Sequence, residues 1–466
     1  MTLFGDTRMT SNESSRDAAG SFAHLSIAAL GRGYRKGTFT ARKVVSAAIA
    51  AARRLNPSLN AFVSIDEAGA LEAADRADLE LGQGLDRGPL HGVPVAIKDI
   101  IDIAGQVTTS GSAVYQNRIA ERDAAVITRL REAGAVLLGK TVMHEFAFGI
   151  TGDKSVHGPS RNPHDPTRLS GGSSGGSAVA VSAGIVPLAL GTDTAGSVRV
   201  PAALCGAFGY KPAFGTLPTG GVGDLAPSLD HVGIFTHDPD DVRIAMEVLT
   251  GASYDTGDVP RDMRIAWIDP ESFGPIDPAV ANRARVFLDG AGVAVDRLFL
   301  DGVDALFAPF TDIEYSEAYV VHRAEFRGLA GRIDAGVLQR LEGGGAIPAW
   351  RLIEAQQRRT ALTAQVRELL GGHPLLALPT ATMTAPLFGV DSVAVGGRWV
   401  QLRPSLLSLT SLWNLAGFPA LSVPAGRVAG LPVGLQLVAA PGSEALIFAL
   451  ARKLSSQTAA QEGAHS

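Results

Sequence analysis

Residues 169–210 of this 466-residue chain read LSGGSSGGSAVAVSAGIVPLALGTDTAGSVRVPAALCGAFGY. They contain two clusters of glycine and serine, at 171–177 and 191–197, separated by an apolar segment that must be buried. Because the side chains in such clusters are small, the backbone is left free to approach a ligand. Each cluster also supplies hydroxyl groups, among them those of Ser173, Ser174 and Ser197. The stretch is therefore a candidate for a binding or catalytic site.

Composition and charge narrow the class of protein. Hydrophobic residues make up 46% of the chain, enough for a sizeable core, and the net charge of -5 predicts no nucleic-acid or membrane partner. The single Cys205 excludes an intrachain disulfide and a thiolate zinc cluster, and its small apolar neighbours favour a buried structural role. With no signal-length apolar segment at the start and no run of about 18 apolar residues, a cytoplasmic protein is expected. Homodimerisation stays open.

The order of periodic segments predicts an α/β protein. Residues 1–20 are polar and aperiodic, which predicts a disordered leader. Residues 123–134 form an amphipathic helix pattern, followed by the apolar strand pattern AVLLGKT at 135–141. Neither a repeat nor a low-complexity linker marks a boundary. We therefore expect one continuous domain over 21–458 and a disordered tail at 459–466.

Three short motifs match known functional patterns, but the residues around each of them argue against that function. GAVLLGKT at 134–141 has the spacing of a phosphate-binding loop, but its four middle residues favour a strand. GGSSG at 171–175 has the spacing of a nucleophile elbow, but the preceding RNPHDPTRLS is polar and predicts no strand. His144–Glu145 lacks the second zinc-binding histidine, because position 148 is Phe. No metal and no cofactor are expected.

Lys98 is the candidate base for a serine nucleophile. A serine hydroxyl reacts poorly until a neighbouring base takes its proton. A free lysine, with a pKa of about 10.4, is charged at neutral pH, but burial disfavours the ammonium form. Lys98 follows the apolar run VPVAI, which can bury it. From these residues alone, an ion pair with Asp99 or Asp102 is nevertheless the favoured role.

Motifs along most of the chain favour the catalytic role of Lys98 over the ion pair. In order, they are GVPVAIKD, GPSRNP, GGSSGGSAVAVSAG, GTDTAGSVRVPAALCG, SLDHVG, NLAGFPALSVPAG and LPVGLQLV. Over residues 21–456 the chain resembles the amidase signature family. The resemblance implies an α/β fold, with a single large domain whose mixed central β-sheet is sandwiched between α-helices. It also implies Ser197 as nucleophile, Ser173 as a bridging serine after a cis peptide, and Lys98 as base.

The 191–197 cluster would then stabilise the transition state. Its consecutive backbone N–H groups could converge on one oxygen and form an oxyanion hole. The donors are Thr194, Ala195, Gly196 and Ser197. We expect Asp193 and Arg199 to pair and fix this loop, and Ser174 to orient the site. Where the commonest family pattern has glycine, this chain has Ala195, which is similar to members acting on urea-derived substrates such as allophanate.

The sequence predicts an amidase for small-molecule amides. An amide acylates Ser197, ammonia or an amine leaves, and water hydrolyses the acyl-enzyme. The alternatives are a urea-derived (allophanate- or biuret-type) amide hydrolase and the catalytic subunit of a glutamine-dependent tRNA amidotransferase. His144 stands where that subunit usually has an acidic residue, which favours a stand-alone enzyme. A catalytically dead scaffold is the remaining hypothesis, against which Lys98, Ser173 and Ser197 argue.

The substrate pocket is expected outside these motifs. Met143 and Phe146 are the predicted lining residues. Loop 217–226, the helical region 307–360 and loop 383–400 are further candidates. Because these segments follow no motif, the sequence leaves aliphatic, aryl and ureide amides equally open.

Overall fold

The computed structural model describes residues 22–463. The predicted leader, 1–20, lies outside the described residues. Of the predicted tail, residues 459–463 belong to the last helix, and the rest lies outside the described residues. Within 22–463, the expected architecture is confirmed, since a mixed eleven-stranded sheet is flanked by helices in a single α/β domain. No helix in this range is long and apolar enough to cross a membrane.

Eleven strands form the main sheet. They are β1 Phe62–Ile65, β2 Pro94–Lys98, β3 Val136–Thr141, β6 Leu188–Thr192, β7 Phe208–Lys211, β8 Val232–Thr236, β9 Arg264–Ile268, β10 Ala294–Leu298, β11 Leu375–Pro379, β14 Ala420–Val428 and β15 Leu431–Val438. Two small hairpins are formed by β4 Arg161–Asn162 with β5 Asp165–Leu169, and by β12 Ser392–Val395 with β13 Arg398–Gln401. The strand order of the main sheet is β1-β3-β2-β6-β8-β7-β14-β15-β11-β9-β10.

Helices connect and cover the strands. They span Ile27–Arg35, Ala41–Leu59, Glu67–Gly82, Ala125–Glu132, Gly175–Ser182, Arg199–Cys205, Pro239–Thr250, Pro278–Asp289, Phe307–Leu329, Ala335–Gly344, Ala349–Gly372, Leu402–Leu407, Ser411–Leu415 and Glu444–Gly463. Several helices begin at a residue whose side chain caps the first turn. For example, the Thr40 hydroxyl accepts a hydrogen bond from Lys43 N at 3.2 Å. Gly206, at φ 78°, ends the helix that follows the second glycine cluster.

The sheet separates two hydrophobic cores. In β9, Ile265 and Trp267 pack into one core, whereas Ala266 and Ile268 pack into the other. This division follows from the strand geometry, because successive side chains point to opposite faces. Strands buried on both faces therefore appear as continuous apolar runs in the sequence.

Two predictions about motifs are resolved by the strands. Val136–Thr141 is a fully buried strand between β1 and β2, so the phosphate-loop match is accidental, as predicted. The prediction that no strand precedes Gly171 is wrong, because β5 ends at Leu169. That strand lies outside the main sheet, pairing with β4 and forming one further bridge between Arg168 and Leu387, and only Leu169 of its five residues is buried, so most of its sequence is polar. The strand required for a nucleophile elbow is still missing from the main sheet.

Neighbouring parallel strands position the site. β2 and β6 pair in parallel with Ile97 opposite Leu190, so their carboxyl ends, at Lys98 and Thr192, meet at the same edge of the sheet. The helix Gly175–Ser182 packs tightly behind this edge. A Cβ on Gly176 would lie 2.3 Å from Ala61 O, so only glycine permits this approach. Both glycine clusters therefore lie at the edge of the sheet where β2 ends with Lys98.

Candidate active site

Lys98 ends β2 inside the protein, and its side chain is completely buried. Its Nζ lies 2.7 Å from Ser173 Oγ and 2.6 Å from Thr192 Oγ1, within hydrogen-bond distance of both. The alternative ion pair is wrong. Asp99 instead lies 3.5 Å from Lys140, and Asp102 pairs with Arg118 at 2.6 Å. Asp99 lies in the turn that follows β2, outside the strand, and its side chain faces different surroundings from that of Lys98.

Burial changes the proton affinity of Lys98. It lowers the pKa of the Lys98 ammonium from 10.5 to about 7, and the charges of Asp193 and Asp230 oppose the shift. The physical cause is the loss of hydration, which destabilises the charged form. At neutral pH a large fraction of Lys98 is therefore the neutral amine, which can accept a proton from a hydroxyl group that it contacts.

The first glycine cluster holds Ser173 against Lys98. The peptide bond Gly172–Ser173 is cis, and Ser173 O accepts a hydrogen bond from His144 N at 3.0 Å. The Ser174 hydroxyl donates to Thr192 O at 3.0 Å and accepts from Thr192 N at 3.2 Å. These bonds fasten the loop to the end of β6. Ser174 thus joins the two glycine clusters, and its role in orienting the site stays a prediction.

Ser197 lies beside the same loop. Its backbone O accepts a hydrogen bond from Ser174 N at 3.3 Å, and the residue is only 5% exposed. Within residues 22–463, the Ser197 hydroxyl has no hydrogen-bond partner of its own. The preceding Gly196 has φ 142°, and a Cβ there would lie 2.3 Å from Thr410 Oγ1. Glycine is thus required for the turn that presents Ser197.

Four backbone N–H groups before and at Ser197 are unpaired. The groups at 194–197 have no acceptor in the part of the chain that the structure describes, although their residues are buried. By contrast, Asp193 N donates to His231 O, and Val198 N donates to Asp193 Oδ2. Buried N–H groups in proteins are nearly always paired. Such a row can therefore bind an oxygen atom that carries negative charge.

Asp193 and Arg199 form the expected ion pair, at 2.9 Å and with neither side chain exposed. Burial opposes ionisation of Asp193, but the Arg199 guanidinium outweighs it and holds the pKa of the carboxyl below its usual range. The remaining Arg199 donors bind Thr410 O, Gln436 Oε1 and Asn414 Oδ1. Since all its donors are used, Arg199 fixes the loop to the strand and helix behind it.

Removal of this guanidinium is expected to destabilise the fold. Arg199→Met leaves the Asp193 carboxylate buried without its charge partner, which costs about 3–5 kcal/mol of unfolding free energy. Urea denaturation measures the change. Arg42→Met is the matched control, because Arg42 pairs with Asp75 with about half of each side chain exposed, and such pairs contribute roughly 0–1 kcal/mol. Equal losses in the two variants would contradict the structural role of the buried pair.

Several further residues support the site without having been predicted individually from the sequence. Thr192 contacts Lys98, and Asp230 accepts from the Thr194 hydroxyl at 2.5 Å. Thr192 belongs to the quoted motif GTDTAGSVRVPAALCG and Asp230 to SLDHVG, so membership of these motifs was the sequence feature that could have identified them. Thr410 Oγ1 donates to Ala195 O at 2.6 Å, and Asn414 Nδ2 donates to Asp193 O at 2.9 Å. Asn414 is the first residue of the quoted NLAGFPALSVPAG motif, whereas Thr410 lies in no quoted motif, and no local pattern signals its contact with Ala195.

Other predicted residues lie close by. Met143 and Phe146 are buried on either side of His144, whose backbone contacts Ser173. The Phe146 ring packs against His322, with centroids 4.5 Å apart. That Met143 and Phe146 line the substrate pocket stays a prediction. Cys205 is completely buried, which confirms the structural interpretation of this residue.

Comparisons with known proteins identify relatives that match most of the chain. The model of the Amidase family matches residues 43–448. The chain is 34% identical over 444 residues to AtzE, which belongs to the 1-carboxybiuret hydrolase of Pseudomonas sp. (strain ADP), covering 89% of this chain and 94% of the relative. It is 37% identical over 470 residues to one subunit of the glutamyl-tRNA(Gln) amidotransferase of Aromatoleum aromaticum, again covering 89% and 94%.

Solved structures of amidases have a similar fold. A crystal structure of an amidase superposes with a TM-score of 0.88 at 32% identity, covering 93% of this chain and all of that one. The family match spans the glycine clusters, Lys98 and the supporting strands. On its sequence, its fold and its relatives, the chain belongs to the amidase signature family and is a hydrolase of that family.

Proposed function

We propose that the protein hydrolyses the C–N bond of a small-molecule carboxamide through an acyl-enzyme on Ser197. The observation that carries this proposal is the contact of the buried Lys98 amine with Ser173 at 2.7 Å, beside the unpaired N–H groups at 194–197. An activated hydroxyl and donors for a developing oxyanion are the two requirements of acyl transfer.

The proposed proton path uses three side chains. Ser197 Oγ attacks the carbonyl carbon while its proton passes to Ser173, whose own proton passes to the neutral Lys98 amine. The N–H groups at 194–197 stabilise the oxyanion of the tetrahedral intermediate. The proton then returns through Ser173 to the leaving nitrogen, so ammonia or an amine departs and the acyl group stays on Ser197. Water hydrolyses the ester by the same path and regenerates the serine.

A screen for ammonia or amine release across aliphatic, aryl and ureide amides tests the proposal. Hydrolysis of at least one class is expected, together with labelling of Ser197 by a fluorophosphonate probe. Peptide mass spectrometry locates the label. Neither turnover nor labelling at Ser197 in the folded protein would contradict the proposal and would favour a non-catalytic scaffold.

Two narrower functions are supported by particular relatives. A urea-derived substrate is supported by Ala195 in the oxyanion loop and by the 34% identity to a protein of a 1-carboxybiuret hydrolase. The role of a glutamine-dependent amidotransferase subunit is supported by the 37% identity to such a protein, although His144 departs from its usual acidic residue. The ureide arm of the screen tests the first. Co-purification with partner subunits tests the second.

A further inference from the structure

Three basic side chains gather next to the loop that holds Ser173. Arg340, on the helix Ala335–Gly344, donates from Nη2 to Phe148 O at 2.7 Å, and its guanidinium lies 5.2 Å from the Phe148 ring centroid. Arg403, on the helix Leu402–Leu407, lies 5.9 Å from the same ring. His144 is the first residue of the segment 144–150, which also contains Phe148. We call His144, Arg340 and Arg403 the basic cluster.

The basic cluster adjoins the catalytic loops on two sides. His144 N donates to Ser173 O, and Ile150 O accepts from Gly172 N at 2.7 Å, so the 144–150 segment lines the first glycine cluster. On the other side, the helix that carries Arg403 leads to Thr410, whose hydroxyl donates to Ala195 O. A ligand bound to the cluster would therefore lie near Ser197 and its oxyanion donors.

The cluster contains donors that the described protein leaves unused. The buried Nε atoms of Arg340 and Arg403 have no hydrogen-bond partner in residues 22–463, and neither ring nitrogen of the 2% exposed His144 has one. Glu314 pairs with Arg403 at 2.7 Å. No carboxylate of the described chain lies within 4 Å of Arg340, however. Buried donors without acceptors are costly, so this arrangement favours an anionic ligand.

The imidazole complements the two guanidinium groups. Burial, together with the charges of Arg340 and Arg403, holds the pKa of His144 well below its usual value. The ring is therefore neutral, and it can donate one hydrogen bond without adding a third positive charge. The carboxylate of Asp153 lies 3.9 Å from His144 Nδ1, beyond hydrogen-bond distance, and it also faces Lys154.

We propose that Arg340, Arg403 and His144 form a subsite for a carboxylate carried by the amide substrate. This inference rests on the proposed function and specifies its substrate class as an anionic amide. A planar guanidinium presents paired donors that match the two oxygens of a carboxylate. Arg340, which lacks an ion pair within the described protein, is the residue that gains most from the ligand.

Competition at Ser197 tests the subsite. The fluorophosphonate labelling rate is measured with and without millimolar malonate, succinate or glutarate, against sodium chloride of equal ionic strength. Each of these compounds carries one carboxylate for the N–H groups at 194–197 and a second for Arg340, and the three differ in the spacing between the two. At least one compound is expected to slow labelling of the native protein. In Arg340→Met its affinity should fall about 10- to 100-fold, the scale of lost charge-assisted hydrogen bonds.

A matched control separates this subsite from general attraction of anions. Lys154→Met removes a half-exposed cation near His144 that is not part of the cluster, and protection should be kept. Hydrolysis of succinamate and of the neutral butyramide provides a second readout, since Arg340→Met should lower kcat/KM for succinamate only.

Two results would overturn the proposal. One is that no dicarboxylate slows labelling of the native protein. The other is that Arg340→Met and Lys154→Met weaken protection equally. Failure of the probe to label Ser197, together with no turnover of any amide in the screen, would instead overturn the proposed function, and the subsite with it.

Discussion

Replacing Ser197 by alanine is expected to lower amide hydrolysis by roughly 10⁶-fold, the scale seen when a serine hydrolase loses its nucleophile. No acyl-enzyme can form without the hydroxyl. The fold should survive, because the Ser197 hydroxyl makes no hydrogen bond in the described residues and alanine fits the same space. The measurement is kcat/KM for any amide found in the screen, together with the thermal unfolding temperature.

Ser174→Ala is the matched control for this variant. It removes a neighbouring hydroxyl that bonds Thr192 N and O but is not placed to attack the substrate. Its activity should fall far less, and the fluorophosphonate label should still attach to Ser197. Comparable losses in the two variants, or full activity of Ser197→Ala, would contradict the assignment of the nucleophile.

The second large effect is expected from Lys98. Lys98→Met keeps much of the side-chain volume but removes the amine, and we expect kcat/KM to fall about 10⁴-fold, the upper range for losing a general base. The pH dependence of activity in the native protein should also reflect the pKa of Lys98. Because burial brings the Lys98 pKa to about 7, activity should fall as pH drops below about 7, where the ammonium form dominates, and should level off above it. A pH series of kcat/KM checks this direction.

Another buried lysine controls for the loss of a buried amine. Lys140, on the adjacent strand β3, donates to Ile101 O at 2.6 Å and lies 3.5 Å from Asp99. Lys140→Met should lower stability while leaving the pH dependence near 7 in place. The double variant Lys98→Met/Ser197→Ala should be no slower than Ser197→Ala alone, since residues acting as one unit are not additive. A pH profile of the native protein that is flat between about 6 and 8 would exclude Lys98 as the base.

Much of the fold could be predicted because its determinants are local. The run AVLLGKT favours a strand over a phosphate loop, and the structure contains that strand. The pairing of Asp193 with Arg199 spans a single loop, so the motif predicts it. The polar strand β5 is not predicted, because only one of its five residues is buried and its backbone partners at 386–388 are distant in the chain.

By itself, the amino-acid sequence determined the α/β class, the positions of the two glycine clusters and the candidate roles of Lys98, Ser173 and Ser197. Only the tertiary structure decided that Lys98 faces Ser173 rather than Asp99. Lys98 is the last residue of β2, whose parallel pairing with β6 brings it beside Thr192 and the glycine clusters, whereas Asp99 lies in the turn beyond the strand. Only the tertiary structure also brings Arg340 and Arg403 beside His144. Those contacts join helices far apart in the chain, and packing across long separations leaves no periodic or spaced pattern in the sequence.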